Sequence, residues 1–170
     1  MEQDYNTIEI SIHPNSNIKC IKFLLNGKLH NSRGPAKLIY SENEQLVKEY
    51  YYINGKKSRL YAPAVITYYY DKNKEVRISQ ANIISQTNIS QQASISQQVR
   101  ITPQVRKLEY FYKGYRHNKY GAAIIKLDKY GNKRYETHYN LGVLHNTEGP
   151  AYHDYAHNKK RWIVNGIEQH

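Results

Sequence analysis

One cysteine, one methionine, one tryptophan and two phenylalanines are all that 170 residues contain of those types. The lone thiol, Cys20, excludes an internal disulfide and points to a reducing compartment. Within IKCIKF it reads as a small, buried apolar residue. No stretch approaches the roughly 20 consecutive apolar residues of a membrane-spanning helix. The opening MEQDYNTIEISI lacks the basic region and apolar run of a secretory signal. An intracellular protein, neither secreted nor carrying a transmembrane segment, is therefore expected. Also missing are a Gly-x-Gly-x-x-Gly or Walker loop to cradle phosphates, a recognisable pair of carboxylates, and a His-plus-acid partner for the thiol. No catalytic residue, cofactor or metal site is assigned, and the chain reads as a non-enzyme.

Tyrosine, by contrast, is abundant, with 18 residues. Its ring packs on a pleated surface while its hydroxyl reaches water. A chain that uses it as the main large apolar residue is expected to form a thin, half-wet sheet. Net charge is +11 and unevenly placed. Residues 1–50 are neutral overall, residues 51–135 carry +12 and residues 136–170 carry −1. A basic middle of this kind suits a binding surface better than a general solubility device.

The chain repeats itself. LLNGKLHNSRGPAKLIY from Leu24, YINGKKSRLYAPAVITY from Tyr52, FYKGYRHNKYGAAIIKL from Phe111 and YNLGVLHNTEGPAYHDY from Tyr139 share one order of residues. A truncated fifth copy, WIVNGIEQH, begins at Trp162. The anchoring glycines are Gly27, Gly55, Gly114, Gly142 and Gly166, at intervals of 28, 59, 28 and 24 residues. A fixed period with one long gap is an internal repeat containing an insertion. Asn-Gly between apolar runs suits a type I′ hairpin turn, because both residues tolerate positive φ. Gly-Pro-Ala belongs at a strand start or on an edge, since proline cannot donate to a ladder. A β-branched or aromatic run, a polar turn and a second strand follow. The prediction is all-β: an antiparallel meander of tandem β-hairpin repeats in an elongated sheet, with an inserted hairpin or loop arm. Residues 1–170 form one β-repeat domain, with an N-terminal strand region over 1–20 and repeats one and two over 21–78. The insertion spans 79–107, and repeats three and four plus the truncated fifth span 108–170.

The order aromatic-x-x-Gly-x-x-His followed by glycine resembles membrane occupation and recognition nexus (MORN) repeats, which form β-hairpin arrays. With Asn-Gly, His and Gly-Pro-Ala it is more specifically similar to a divergent group common in large DNA viruses. The likeness covers roughly residues 21–76 and 110–170. Departures are Ser58 where the other units have His30, His117 and His145, Ala62 in place of glycine, Lys113 before its glycine, and Ala122 in place of proline. The resemblance implies scaffolding or attachment, and a viral structural or virion-associated protein in the host cytoplasm or the particle. It assigns no binding residue.

In the insertion, ISQANIISQTNISQQASISQQVRITPQ from Ile78, isoleucines at 78, 84, 89, 95 and 101 would scatter around a helix. Val76, Ile78 and Ile84 share one strand parity, as do Ile95, Val99 and Ile101. A long hairpin turning near residues 87–92 and a disordered Gln/Ser-rich loop both fit. Three of the eight histidines, His30, His117 and His145, recur at one repeat position and, with the five glycines, are read as structural. His153 and His157 lie too far apart along a strand to share an ion. The functional lead is the basic, tyrosine-interleaved middle: Lys56, Lys57, Arg59, Lys107, Lys113, Arg116, Lys119, Lys126, Lys129, Lys133 and Arg134. The expected partners are other proteins, among them capsid or virion components or a second copy. Nucleic acid is the alternative, since cations beside rings can neutralise phosphates and stack on bases. Anionic lipid, suggested by charge alone, ranks below both.

Overall fold

The computed structural model describes residues 5–71 and 103–169, and every regular element among them is a β-strand. No described helix is long and apolar enough to cross a membrane. The long strands are β1 (Thr7–Ile12), β2 (Lys19–Leu25), β4 (Lys37–Tyr40), β5 (Leu46–Tyr50), β8 (Val65–Tyr68), β9 (Val105–Glu109), β12 (Ile124–Leu127), β13 (Lys133–Thr137), β16 (Tyr152–Asp154) and β17 (Lys159–Arg161). They pair in chain order, each antiparallel to the next, as one meander. The all-β repeat architecture read from the sequence is therefore the architecture observed.

The glycine turns sit elsewhere than in that meander. They close short two-residue ribbons at one end of the sheet: β6 (Tyr52–Ile53) with β7 (Lys56–Lys57), β10 (Phe111–Tyr112) with β11 (Tyr115–Arg116), β14 (Tyr139–Asn140) with β15 (Val143–Leu144), and β18 (Ile163–Val164) with β19 (Ile167–Glu168). In the first unit the end of β2 pairs with β3 (Lys28–Leu29) in the same role. Each turn has two successive residues at positive φ, such as Asn26 at 51° and Gly27 at 72°, as a type I′ turn demands. Leu141 adopts φ 46° without the local side-chain help that asparagine offers. The polar turns, not the five anchoring glycines, reverse the long hairpins. They occupy the opposite end of the sheet, at Ser41–Gln45, Asp128–Asn132 and Tyr155–Asn158.

The short ribbons stack. The N–H groups of Gly55, Gly114, Gly142 and Gly166 donate to the carbonyls of Leu29, Lys57, Arg116 and Leu144 in the preceding unit, at 2.8 to 2.9 Å. Each of these glycines also lies beneath the side chain that follows the previous glycine: Lys28, Lys56, Tyr115 and Val143 in turn. The repeated histidines bind the same turns. His30 Nδ1 meets both Asn54 N–H at 3.1 Å and Asn54 Oδ1 at 2.9 Å, while His117 Nδ1 accepts from Leu141 N–H at 3.4 Å and His145 Nδ1 from Asn165 N–H at 3.1 Å. All three rings therefore tie one unit to the next through a backbone donor. The series breaks only at Ser58, the unit before the insertion.

The sheet is thin. Among the described residues no large side chain is fully sequestered, and the tightest positions are the alanines after each Pro or its replacement: Ala36, Ala64, Ala123 and Ala151, all at 0% exposure. Each alanine is hydrogen-bonded to strands on both sides, as where Phe23 N–H meets Ala36 O and Ala36 N–H meets Tyr50 O, both at 2.8 Å. A small apolar cluster of Ala64, Val65 and Phe111 packs with Tyr50 and Tyr51. On one face a row runs through cross-strand partners Ile10, Ile21, Leu38, Glu49, Ile66, Leu108 and Ile125. Cys20 is half-buried on β2.

Beyond β8, Tyr69 N–H donates to Gln104 O at 2.8 Å, so the insertion leaves and re-enters the sheet at one hairpin tip. β9 begins at Val105, which puts Val105–Lys107 in the sheet although they fall within the expected 79–107 segment. Both roots are held by neighbouring tips. Gln45 Nε2 donates to Asp71 O at 2.6 Å, and Gln104 Nε2 donates to Lys129 O. The isoleucine pattern and the hairpin-or-loop alternative lie outside the described residues.

Candidate interaction strip on the loop row

Between each glycine ribbon and the next long strand the chain makes a seven-residue loop, and these loops line up at the ribbon end of the sheet. The loop is braced by the asparagine after the histidine. Asn31 Nδ2 donates to Pro35 O at 3.1 Å while its Oδ1 accepts from Arg33 N–H at 3.1 Å. Asn118 repeats the pair with Ala122 O at 2.9 Å and Tyr120 N–H at 3.1 Å, and Asn146 with Pro150 O and Glu148 N–H, both at 3.2 Å. These are Asx turns closed by a cross-loop bond. Room for the asparagine is tightest at Gly34, where an added Cβ would lie 3.3 Å from Asn31 Nδ2. In the second unit Arg59 replaces asparagine. Its guanidinium reaches Pro63 O at 3.5 Å and stacks 3.8 Å over the Tyr51 ring, and Ala62 stands where the others have glycine.

Two successive residues per loop carry exposed side chains that do not brace the cross-loop bond: Ser32–Arg33, Leu60–Tyr61, Lys119–Tyr120 and Thr147–Glu148. Successive loops lie two strands apart, roughly 10 Å, so these pairs form a strip along the sheet end. Its middle is apolar. Leu60, Tyr61 and Tyr120 are 72%, 77% and 74% exposed, and the two tyrosine rings meet at 6.2 Å. A groove of about 320 Å³ lies there, floored by Tyr110 and Tyr112. A wider one of about 530 Å³ lies between loops three and four, where His117, His138 and His145 face Glu148. Burial pulls the His138 imidazole below its ordinary value, against the opposing pull of Glu136 at 3.9 Å. Burial also pushes the Tyr51 phenol up to about 12, reinforced by its 2.8 Å hydrogen bond to Glu49 Oε2 and opposed by Arg59.

The basic residues singled out in the sequence do not converge. Lys57 lies over both Tyr50 and Phe111, and Arg116 between Phe111 and Tyr139. Lys113, Lys119, Lys126 and Lys129 cap Tyr112, Tyr120, Tyr135 and Tyr130 at 5.0 to 5.8 Å. Lys133 bonds Glu136 at 2.8 Å and sits over Tyr155, and Lys107 bonds Glu109 at 3.0 Å. Lys56 stacks over Gly114, and the Arg134 carbonyl accepts from Tyr155 N–H at 3.0 Å. Lys56, Lys57, Lys113 and Arg116 gather on the glycine ribbons, whereas Lys129, Lys133 and Arg134 lie around the opposite tips. The expected single basic surface is thus several smaller ones, with cations lying over rings that are buried or partly buried at Tyr50, Phe111, Tyr135 and Tyr139 and exposed at Tyr112, Tyr120 and Tyr130.

His157 bonds Asp154 at 2.9 Å and His153 stacks on Tyr155 at 3.9 Å, so each has a partner of its own. Among the described residues no three His, Cys, Asp or Glu side chains come together as a metal site. The residues that the sequence reading missed are the strip itself and its bracing asparagines. Both were marked by the repeat alignment: an asparagine present in three of four copies, followed by two variable positions at which only the tyrosines Tyr61 and Tyr120 agree. Compared with protein-family models, curated proteins and solved structures, the chain matches none of them.

Proposed function

We propose that this chain is a non-enzymatic binding scaffold whose loop strip docks a protein segment, with an apolar side chain of the partner in the groove between loops two and three. One observation carries the reading: three large apolar side chains, each more than 70% exposed, project from two neighbouring loops, one braced by Asn118 and the other spanned by Arg59. Exposed aromatics on a rigid support are what binding hot spots are made of, because little ordering entropy opposes the contact. The resemblance to viral MORN-like repeats extends the proposal to a structural or virion-associated role.

Selection of peptides from a random phage-displayed library tests it. Peptides bearing an aromatic or branched apolar anchor are expected, losing at least about tenfold in affinity against Leu60→Ser or Tyr120→Ser. Selected peptides that bind those variants unchanged would move the site elsewhere. A single-stranded oligonucleotide held at low salt with a steep log–log salt dependence would favour the nucleic-acid alternative, for which the ribbon cations Lys56, Lys57, Lys113 and Arg116 are the support.

A further inference from the structure

The two outermost strands of the sheet differ in kind. β17 is Lys159, Lys160 and Arg161, all exposed, and consecutive cations at an edge repel an incoming strand. β1, at the other edge, is TIEISI, with no lysine, arginine or proline and all six residues exposed. Ile8, Ile10 and Ile12 are 50%, 62% and 61% exposed on one face. Its only charge, Glu9, is neutralised by Lys22 at 2.9 Å on the other face. Among the described residues β1 has a neighbour on one side alone.

The phase of its hydrogen bonding follows from one contact. His13 N–H donates to Ile18 O at 2.9 Å, which continues the β1–β2 register as a hydrogen-bonded pair. Pairs of that kind alternate in an antiparallel ladder. Thr7, Glu9 and Ser11 therefore bond inward to β2, and the N–H and C=O groups of Ile8, Ile10 and Ile12 point outward.

We infer that β1 is a self-complementary edge, and that two copies of this chain join through it as an antiparallel, two-fold pair centred on Ile10. In that register Ile10 faces Ile10 of the other copy, Ile8 faces Ile12, and Glu9 faces Ser11. All outward backbone groups of the three isoleucines are then satisfied, giving about six inter-copy hydrogen bonds. Six isoleucine side chains gather on one face and prolong the Ile10–Ile21–Leu38 row across the axis. Sliding the register by two residues toward the N-terminus sets Glu9 against Glu9, a like-charge contact, and loses a pair. The interface is small, so its dissociation constant belongs in the micromolar range or weaker.

The test reads both association and register. Sedimentation over rising concentration is expected to show reversible dimers of the wild-type chain. Ile10→Pro should stay monomeric, because its lost N–H points away from β2 and the fold retains its ladder. Ile10→Lys, which keeps the N–H but opposes two ammonium groups, should also stay monomeric, with an unchanged circular dichroism spectrum. In a Cys20→Ser background, Ile10→Cys should oxidise to a disulfide-linked dimer, since opposed residues in such a pair lie about 5.5 Å apart at Cα. Ile12→Cys should not, its counterpart being about 13 Å away along the strand. A wild-type chain monomeric at every concentration overturns the inference. So do dimers indifferent to both Ile10 variants, or cross-linking of Ile12→Cys as fast as Ile10→Cys.

Discussion

Replacing Asn118 by alanine removes two hydrogen bonds from one loop, the donor to Ala122 O at 2.9 Å and the acceptor for Tyr120 N–H at 3.1 Å. Ala122 is nearly buried, so water cannot fully replace the lost donor. At about 1 kcal/mol net for each bond, the loss is about 2 kcal/mol. For a domain of this length that corresponds to a fall in Tm of roughly 4–8 °C. The neighbouring substitution Lys119→Ala, at a strip position, should stay within about 0.5 kcal/mol of wild type. Asn118→Arg should lose less than Asn118→Ala, because Tyr110 occupies the place that Tyr51 has beneath Arg59 and can take the guanidinium. Thermal and urea unfolding of the three variants would measure this. Equal destabilisation by Asn118→Ala and Lys119→Ala would refute the division of each loop into frame and strip.

Two further outcomes are expected. Leu141→Asn, at φ 46° in an exposed turn, should raise stability by about 1 kcal/mol in urea unfolding, since asparagine tolerates this conformation and serves it in three other turns. His138 titrates below its ordinary 6.5 in the folded chain because burial disfavours its charged form. The unfolded chain then binds the extra proton first, so stability is full above pH 6.5 and falls as pH drops through the folded value. His138→Phe should flatten that part of a pH–Tm profile, and an unchanged slope would show that other groups set it.

The fold was legible because its period is carried by residues with narrow conformational roles. Glycine behind asparagine needs a left-handed turn, which alignment alone places, and proline before alanine is narrowed to a strand start or an edge. Which turn reverses which strands was not legible. A two-residue ribbon and a long hairpin present the same local pattern, and only the lateral pairing of Ala36, Ala64, Ala123 and Ala151 separates them. The recurrence of His30, His117 and His145 marks a structural position, but their partner, a backbone N–H of the next turn, depends on where neighbouring units sit. How the cations of the basic middle are grouped was not legible, because tyrosine and lysine alternating in sequence look alike whether the cation covers a ring or faces solvent. The strip has no fixed signature, because its positions vary between copies except for Tyr61 and Tyr120.

The turn ladder points one way along the chain. The N–H groups of Gly55, Gly114, Gly142 and Gly166 find their acceptors in residues that come earlier, as do those of Asn54, Leu141 and Asn165 on the histidines. Even the first turn follows suit, with Asn26 N–H bound by Asn6 Oδ1 at 3.2 Å. A nascent polypeptide leaving the ribosome would thus meet, at each new turn, acceptors already synthesised and already in place. Folding can proceed like a zip drawn in the direction of translation, with no turn having to wait for the one after it.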